Sequence, residues 1–271
     1  MLKYNWHTHT YRCRHAVGKD EEYVTNAIKA GIKKLGFSDH APYPNGYVEG
    51  IRMHYEEYDD YIKSIKYLKE KYKDQIEIYI GLEAEYYEEH LETLKKYRKE
   101  LDYMILGQHG FNAEREDSYF IDNDKIFKYC DLLCKGISSG LFDYIAHPDC
   151  CLWTYPRIDE KVIEVANNIA DTAKEYQVPL ELNCGSGIRK GKIQYEDIVR
   201  YPYPTEAFFE TFAKKGCDIV VGLDIHDPNL FHTDEYLNKA LAVIENLNCN
   251  VIYEYELIEK AKERKEKYNF I

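Results

Sequence analysis

Apolar residues follow two alternating rhythms along this chain. Short runs rich in aliphatic and β-branched residues occupy 2–6, 34–38, 76–83, 102–108, 142–146, 179–183 and 218–223. Between them, apolar positions recur every three or four residues over 20–31, 55–73, 89–99, 123–138, 159–176, 204–215 and 234–247. In the fifth of these stretches Val162, Val165, Ala166, Ile169 and Ala173 form one stripe. The first rhythm predicts buried strands and the second amphipathic helices. Strands that alternate with helices predict a parallel sheet. Seven such units in 271 residues, with no linker, repeat or low-complexity segment, predict one domain over 1–271: an α/β fold closed as a (β/α)7 TIM-like barrel. The final EYELIEKAKERKEKY reads as a charged helix with a solvated face. One connection is long. APYPNGYVEGIRMHYEEYDD follows Asp39-His40, its Gly and Pro mark irregular backbone, and loops of that length commonly bind ligands.

Composition narrows the function classes. A 45% apolar content supports a core, and a net charge of −12 disfavours nucleic acid as a partner. A small phosphorylated substrate held by one or two arginines stays compatible with that charge. No apolar run approaches the roughly 18 residues that span a bilayer, so no membrane association is expected. MLKYNWHTHT lacks the apolar stretch of a secretion signal, and a cytoplasmic location is expected. The eight cysteines are then thiols. Cys130 and Cys134 fall on the apolar face of a helix, and Cys150 and Cys151 read as packing residues. The 27 tyrosines read as rings that cover the barrel and leave their hydroxyls in water. Oligomeric state is left open.

The histidines change the picture. In a strand, residues i and i+2 share a face, so His7 and His9 of NWHTHT project together from the end of the first strand. His40 closes the second, in GFSDH, and Glu83 the third, in IYIGLE. His109 closes the fourth, in YMILGQH, and His147 the fifth, in DYIAHPD. Asp224 and His226 close the seventh, in VVGLDIH, and His15 lies in the loop after the first. A lone histidine at a strand end is usually a packing residue. The same feature on five strands, at the end where β/α barrels build their sites, points to chemistry. Glu83 and Asp224 each end an apolar run, where an unpaired carboxylate is expensive and a cation removes the cost. Nine nitrogen and oxygen donors exceed one ion, since Zn takes about four. Three divalent ions sharing a bridging carboxylate fit, and the donor set suits Zn, Mn or Fe. Such a centre activates water and clamps an in-line displacement at phosphorus, which predicts metal-dependent hydrolysis of a phosphoester. His54, His90 and His232 fall outside the pattern and read as surface residues.

These residues resemble the ligand set of the PHP (polymerase and histidinol phosphatase) superfamily, in order and without departure. The resemblance implies a distorted (β/α)7 barrel with a trinuclear metal site at the C-terminal strand ends. It implies that His7, His9, Glu83 and Asp224 hold one ion. Glu83, His109 and His147 would hold the second, and His15, His40 and His226 the third, with Glu83, Asp224 and His226 central to catalysis. Nearly the whole chain resembles the histidinol-phosphate phosphatases of histidine biosynthesis, through SDHAPYP, the RM pair at Arg52-Met53, GLEAEYY, SGLFDYIAHPD and ELNCGSGIRKG. Those enzymes hydrolyse L-histidinol phosphate to L-histidinol and phosphate, and the mechanism expected is attack by a hydroxide held between two ions.

Phosphate-binding candidates are Arg189 in the glycine-rich NCGSGIRKG, Arg157 in WTYPR and Arg52 in the long loop, because the guanidinium fork matches phosphate. Asn183 ends the sixth strand and is a candidate to orient substrate. Tyr43, Trp153 and Glu114 are candidate neighbours of the substrate's imidazole and amino groups. Asp39 is a candidate acid, although the strand pleat points it away from His40. The rival readings are a PHP phosphoesterase for mononucleotides or phosphotyrosine, a non-catalytic metal-binding domain, and a metal-dependent amidohydrolase. The last often bridges its ions with a carbamylated lysine, and Glu83 fills that position here.

Overall fold

The computed structural model describes residues 2–44, 50–111 and 125–270. Among these, ten strands form: β1 (Tyr4–Asn5), β2 (Lys34–His40), β3 (Glu77–Ala84), β4 (Tyr103–Leu106), β5 (Tyr144–Ile145), β6 (Leu180–Asn183), β7 (Ile193–Gln194), β8 (Val199–Arg200), β9 (Asp218–Gly222) and β10 (Asn250–Ile252). Eight join one curled sheet in the order β1-β2-β3-β4-β5-β6-β9-β10, parallel throughout. β7 and β8 form a separate antiparallel pair. Helices cover the outside of the sheet, so strands such as β4, YMIL, are buried on both faces and read as continuous apolar runs.

The barrel closes just beyond β9. Thr8 bridges Ile225 in parallel. The His9 N–H donates to the Ile225 carbonyl at 2.9 Å, and the Ile225 N–H donates to the His7 carbonyl at 3.1 Å. Asn5 reinforces the seam, its Oδ1 accepting the Leu223 N–H at 2.9 Å. β10 lies outside the seven predicted strands. It pairs with β9 along Asp218–Val220, and its three residues are too few and too exposed to leave an apolar run in the sequence.

The helical rhythm places its elements closely. Helices form at Asp20–Lys29, Tyr58–Lys71, Leu91–Glu100, Lys125–Ser138, Glu160–Tyr176, Glu206–Lys215 and Glu235–Ile244. Residues 123 and 124 of the fourth predicted helix lie outside the described residues. Asp159 starts the fifth helix by accepting the Val162 N–H, and its apolar stripe is buried from Val162 to Ala173. A short helix, Ser186–Lys190, was not predicted, and it carries Arg189.

Two expectations are corrected. The terminal helix Leu257–Lys267 is not wholly solvated, because Leu257, Ala261 and Arg264 are buried. Arg264 donates to the carbonyls of Tyr176 and Gln177 at 3.3 and 2.9 Å. Many tyrosine hydroxyls are not in water either. Tyr61, Tyr97 and Tyr103 are fully buried and donate to the carbonyls of Gly81, Pro42 and Trp6 at 2.7–2.8 Å. A ring that sits between helix and sheet must satisfy its hydroxyl on the backbone. Cys150 and Cys151 are buried as read, and Cys134 is only half-buried beside buried Cys130. Among the described residues no helix is long and apolar enough to cross a membrane.

Candidate metal centre

Parallel register brings the strand ends level. His40 on β2 pairs with Glu83 on β3, and Glu83 pairs with Ile105 on β4, so side chains from successive strands meet at one mouth. Glu83 is at the centre and 1% exposed. Its Oε2 faces His7, His9 and His40 at 3.4, 3.4 and 3.1 Å. Its Oε1 faces His147 at 2.7 Å and His109 at 3.4 Å. One oxygen to each side is the arrangement of a bridging ligand. Gly107 makes room for it, because a Cβ there would collide with Glu83 Oε1.

Asp224 approaches from the end of β9, its Oδ1 3.6 Å from His7 Nε2 and 3.3 Å from His9 Nε2. Among the described residues, five three-donor groups lie close enough to share an ion: His7, His9 and Asp224; His7, Glu83 and His147; His15, His40 and His226; His9, His40 and Glu83; and His9, Cys13 and His226. The first and third fall within ligand sets expected from the sequence, while the others mix donors of different sets, and the last brings in Cys13. The third group sits outermost, with His15 exposed at the rim.

The donor chemistry calls for cations. His7 Nδ1 lies 2.8 Å from Glu181 Oε1 and, as a donor to it, leaves a lone pair on Nε2. That Nε2 lies 3.1 Å from His9 Nε2. In the outer group, His15 Nδ1 donates to the Cys13 carbonyl at 2.7 Å and His226 Nδ1 to the Asp224 carbonyl at 3.2 Å. Their Nε2 atoms then face each other at 3.0 Å. Lone pairs aimed at each other are relieved by a metal ion between them or by a proton on one of the two nitrogens. Among the described residues Glu83 Oε2 and Asp224 Oδ1 are buried without a hydrogen-bond partner, which adds to the same demand. Burial opposes ionisation of Glu83, but His109, His7, His40 and His147 hold its carboxyl well below the ordinary range. Asp224 is held low against burial by His7 and His226.

Behind the ligands stand carboxylates, of which the sequence reading named only Asp39, and that as a candidate acid. Glu181 holds His7, and Glu85 holds His109 through Nδ1 at 3.1 Å. Asp39 lies behind His9, 3.7 Å from its Nδ1, while accepting from the Thr10 hydroxyl and the Thr10 and His40 N–H groups. At hydrogen-bond distance, Glu181 and Glu85 fix the tautomers of His7 and His109 and raise their basicity toward a metal, whereas His9 Nδ1 is left without a hydrogen bond. The signal was the pleat itself: Glu85 shares a face with Glu83, and Glu181 with Asn183.

The expected substrate residues have varied partners. Arg52 is buried and gives its fork to Glu85 at 2.7 and 3.1 Å and to the Ala41 carbonyl at 2.8 Å. Arg189 is half-buried and donates to the carbonyls of Leu223 and Asp224 at 3.0 and 2.8 Å. Arg157 is exposed, its Nε 3.8 Å from Asp159. Asn183 is buried between Glu181 and the Gly185 N–H, 2.7 Å from each. Tyr43 donates to the Glu85 carbonyl at 2.9 Å, and Trp153 packs on Tyr203 at 5.8 Å. Glu114 lies outside the described residues. His232 is exposed, whereas His54 and His90 are half-buried, with the His90 ring 4.9 Å from that of Tyr43.

The PHP domain model matches residues 5–185. The chain belongs to the PHP domain family. A probable histidinol-phosphatase of Deinococcus radiodurans is 31% identical over 82% of this chain and 85% of the relative. A probable histidinol-phosphatase of Schizosaccharomyces pombe is 26% identical over 86% of this chain and 84% of its own. Other relatives carry the broader name of probable phosphatase. Among solved structures, the histidinol phosphate phosphatase of Lactococcus lactis, complexed with Zn, L-histidinol and phosphate, superposes with a TM-score of 0.70. That likeness covers 93% of this chain and 95% of the other at 18% identity, and it places this PHP chain in the same fold.

Proposed function

We propose that this PHP protein is a metal-dependent phosphomonoesterase that hydrolyses L-histidinol phosphate to L-histidinol and phosphate, with three divalent ions of the Zn, Mn or Fe kind. The observation that carries the reading is the convergence of His7, His9, His15, His40, Glu83, His109, His147, Asp224 and His226 at one barrel mouth, with buried carboxylate oxygens and facing imidazole lone pairs. Relatives named histidinol-phosphatase supply the substrate.

Divalent ions in such a centre lower the pKa of water and neutralise the oxygens of a phosphoester. The chain's own residues do the rest. Glu83 turns one oxygen to His7, His9 and His40 and the other to His109 and His147, and so fixes their spacing. Arg189 ties down the backbone of Leu223 and Asp224, and its position beside the mouth suits a second role next to phosphate. Arg52 acts on substrate only through Glu85 and His109. A cytoplasmic location accords with a small-molecule substrate of this kind.

The test is phosphate release from L-histidinol phosphate by metal-replete protein, beside AMP, a phosphotyrosine peptide and p-nitrophenyl phosphate. We expect kcat/KM for histidinol phosphate to exceed the others by about a hundredfold, or ~2.7 kcal/mol. The names of the broader relatives favour a second reading, a phosphatase of other small phosphomonoesters. Higher activity on AMP or phosphotyrosine would select it.

A further inference from the structure

We propose that Glu181 is a positioning residue that ties two of the three ion positions together. This rests on the trinuclear reading above. Glu181 lies on β6 and is wholly buried. Its Oε1 takes His7 Nδ1 at 2.8 Å. Its Oε2 takes the backbone N–H of His147 at 3.0 Å and Asn183 Nδ2 at 2.7 Å. His7 belongs to the first donor group, and His147 serves the second with Glu83. The His147 backbone is left-handed, with φ of 29°, so its ring is aimed only while its peptide is held.

The seat demands a carboxylate. Asn183 Oδ1 accepts the Gly185 N–H at 2.7 Å, which fixes the amide so that Nδ2 must donate. The groups around Glu181 are therefore all donors, and only a group that accepts at both oxygens satisfies them. An amide must turn its NH2 toward one side. Facing His7, it forces the proton onto Nε2 and removes a metal ligand. Facing His147 and Asn183, it opposes two donors and frees the His147 peptide. The seat also demands a glycine behind it, because a Cβ at Gly222 would collide with Glu181 Oε1.

The test is metal titration of apo protein with Zn2+, read by calorimetry and by metal content after gel filtration, for wild type, Glu181→Ala and His15→Ala. Three ions in wild type and two in His15→Ala test the trinuclear reading itself. Given those, Glu181→Ala, which removes both acceptors, is expected to weaken two ions by about 10–100-fold each while the third keeps its affinity, whereas a glutamine there would satisfy one side and weaken only the other ion. Loss at one position, at none, or equally at all three would overturn the proposal. A merely structural Glu181 would lower the apo melting temperature and leave the stoichiometry at three. Gly222→Ala keeps the charge but closes the seat, and it should reproduce the two-ion deficit if Glu181→Ala fails to fold.

Discussion

Arg52 separates two roles that a sequence cannot distinguish, and its replacement by alanine has a calculable effect. As a brace, Arg52 gives Glu85 two charge-assisted bonds, and the two side chains are 3% and 1% exposed. Removing one partner of a pair so buried costs about 3–5 kcal/mol, because the other charge stays behind. For a chain of this size that is a fall of about 6–10 °C in the melting temperature. Burial pushes the Glu85 carboxyl up, but Arg52 and His109 overcome it and hold the group far below its ordinary range. A folded value below the unfolded one, about 4.3, means the stabilisation is complete above that pH and drains away as acid is added. In the variant, burial acts on Glu85 with less opposition, so its ionisation costs stability at neutral pH and less in acid. The gap between wild type and Arg52→Ala should therefore be widest near pH 7 and narrow near pH 4. Urea denaturation of apo protein at both values measures it. A loss below about 1 kcal/mol, or a gap that ignores pH, together with a raised KM, would make Arg52 a substrate ligand and refute the brace.

Further outcomes follow from the same geometry. Glu83→Gln should abolish turnover and deplete at least two ions, and the apo melting temperature should fall, because the imidazoles that hold the carboxylate low lose their charge partner; a metal-replete variant with full activity would remove Glu83 from the bridging position. Arg189→Ala should cost about 2–3 kcal/mol of stability, since its two charge-assisted bonds hold the Asp224 turn. Unchanged stability with a raised KM would assign its guanidinium to phosphate instead. Chelation should lower the melting temperature by about 5 °C or more, as expected when ions near a hundred times their Kd contribute ~2.7 kcal/mol. Scanning calorimetry with and without EDTA reads this directly, and identical traces would argue against ligation by the folded state.

The candidate ligands were legible because each is a polar residue at the end of an apolar run, where the pleat and the chain direction fix the side on which it emerges. Glu181, Glu85 and Asp39 were harder, since they sit within or beside the same runs and their role depends on which imidazole nitrogen they meet. The arginines were least legible. A guanidinium near a strand end reads the same whether it binds phosphate or a carbonyl, and the fold gives Arg52 and Arg189 protein partners. β10 escaped because three half-exposed residues carry no periodicity. The buried tyrosines escaped because a ring at helical spacing does not say whether its hydroxyl ends on solvent or on a strand carbonyl.

The seam of the barrel has a consequence for how the molecule comes together. Thr8 and Ile225 make the closing bridge, and the residues on either side of them are His7, His9, Asp224 and His226. On the proposed ligation, the ions fasten the first turn of the chain to a segment more than two hundred residues away. Chain-closure entropy grows only with the logarithm of loop length, so a clip at this place removes most of the freedom that any single clip can. Metal loading would then be a late event in the life of each new chain, and the ions needed for hydrolysis would also latch the barrel shut.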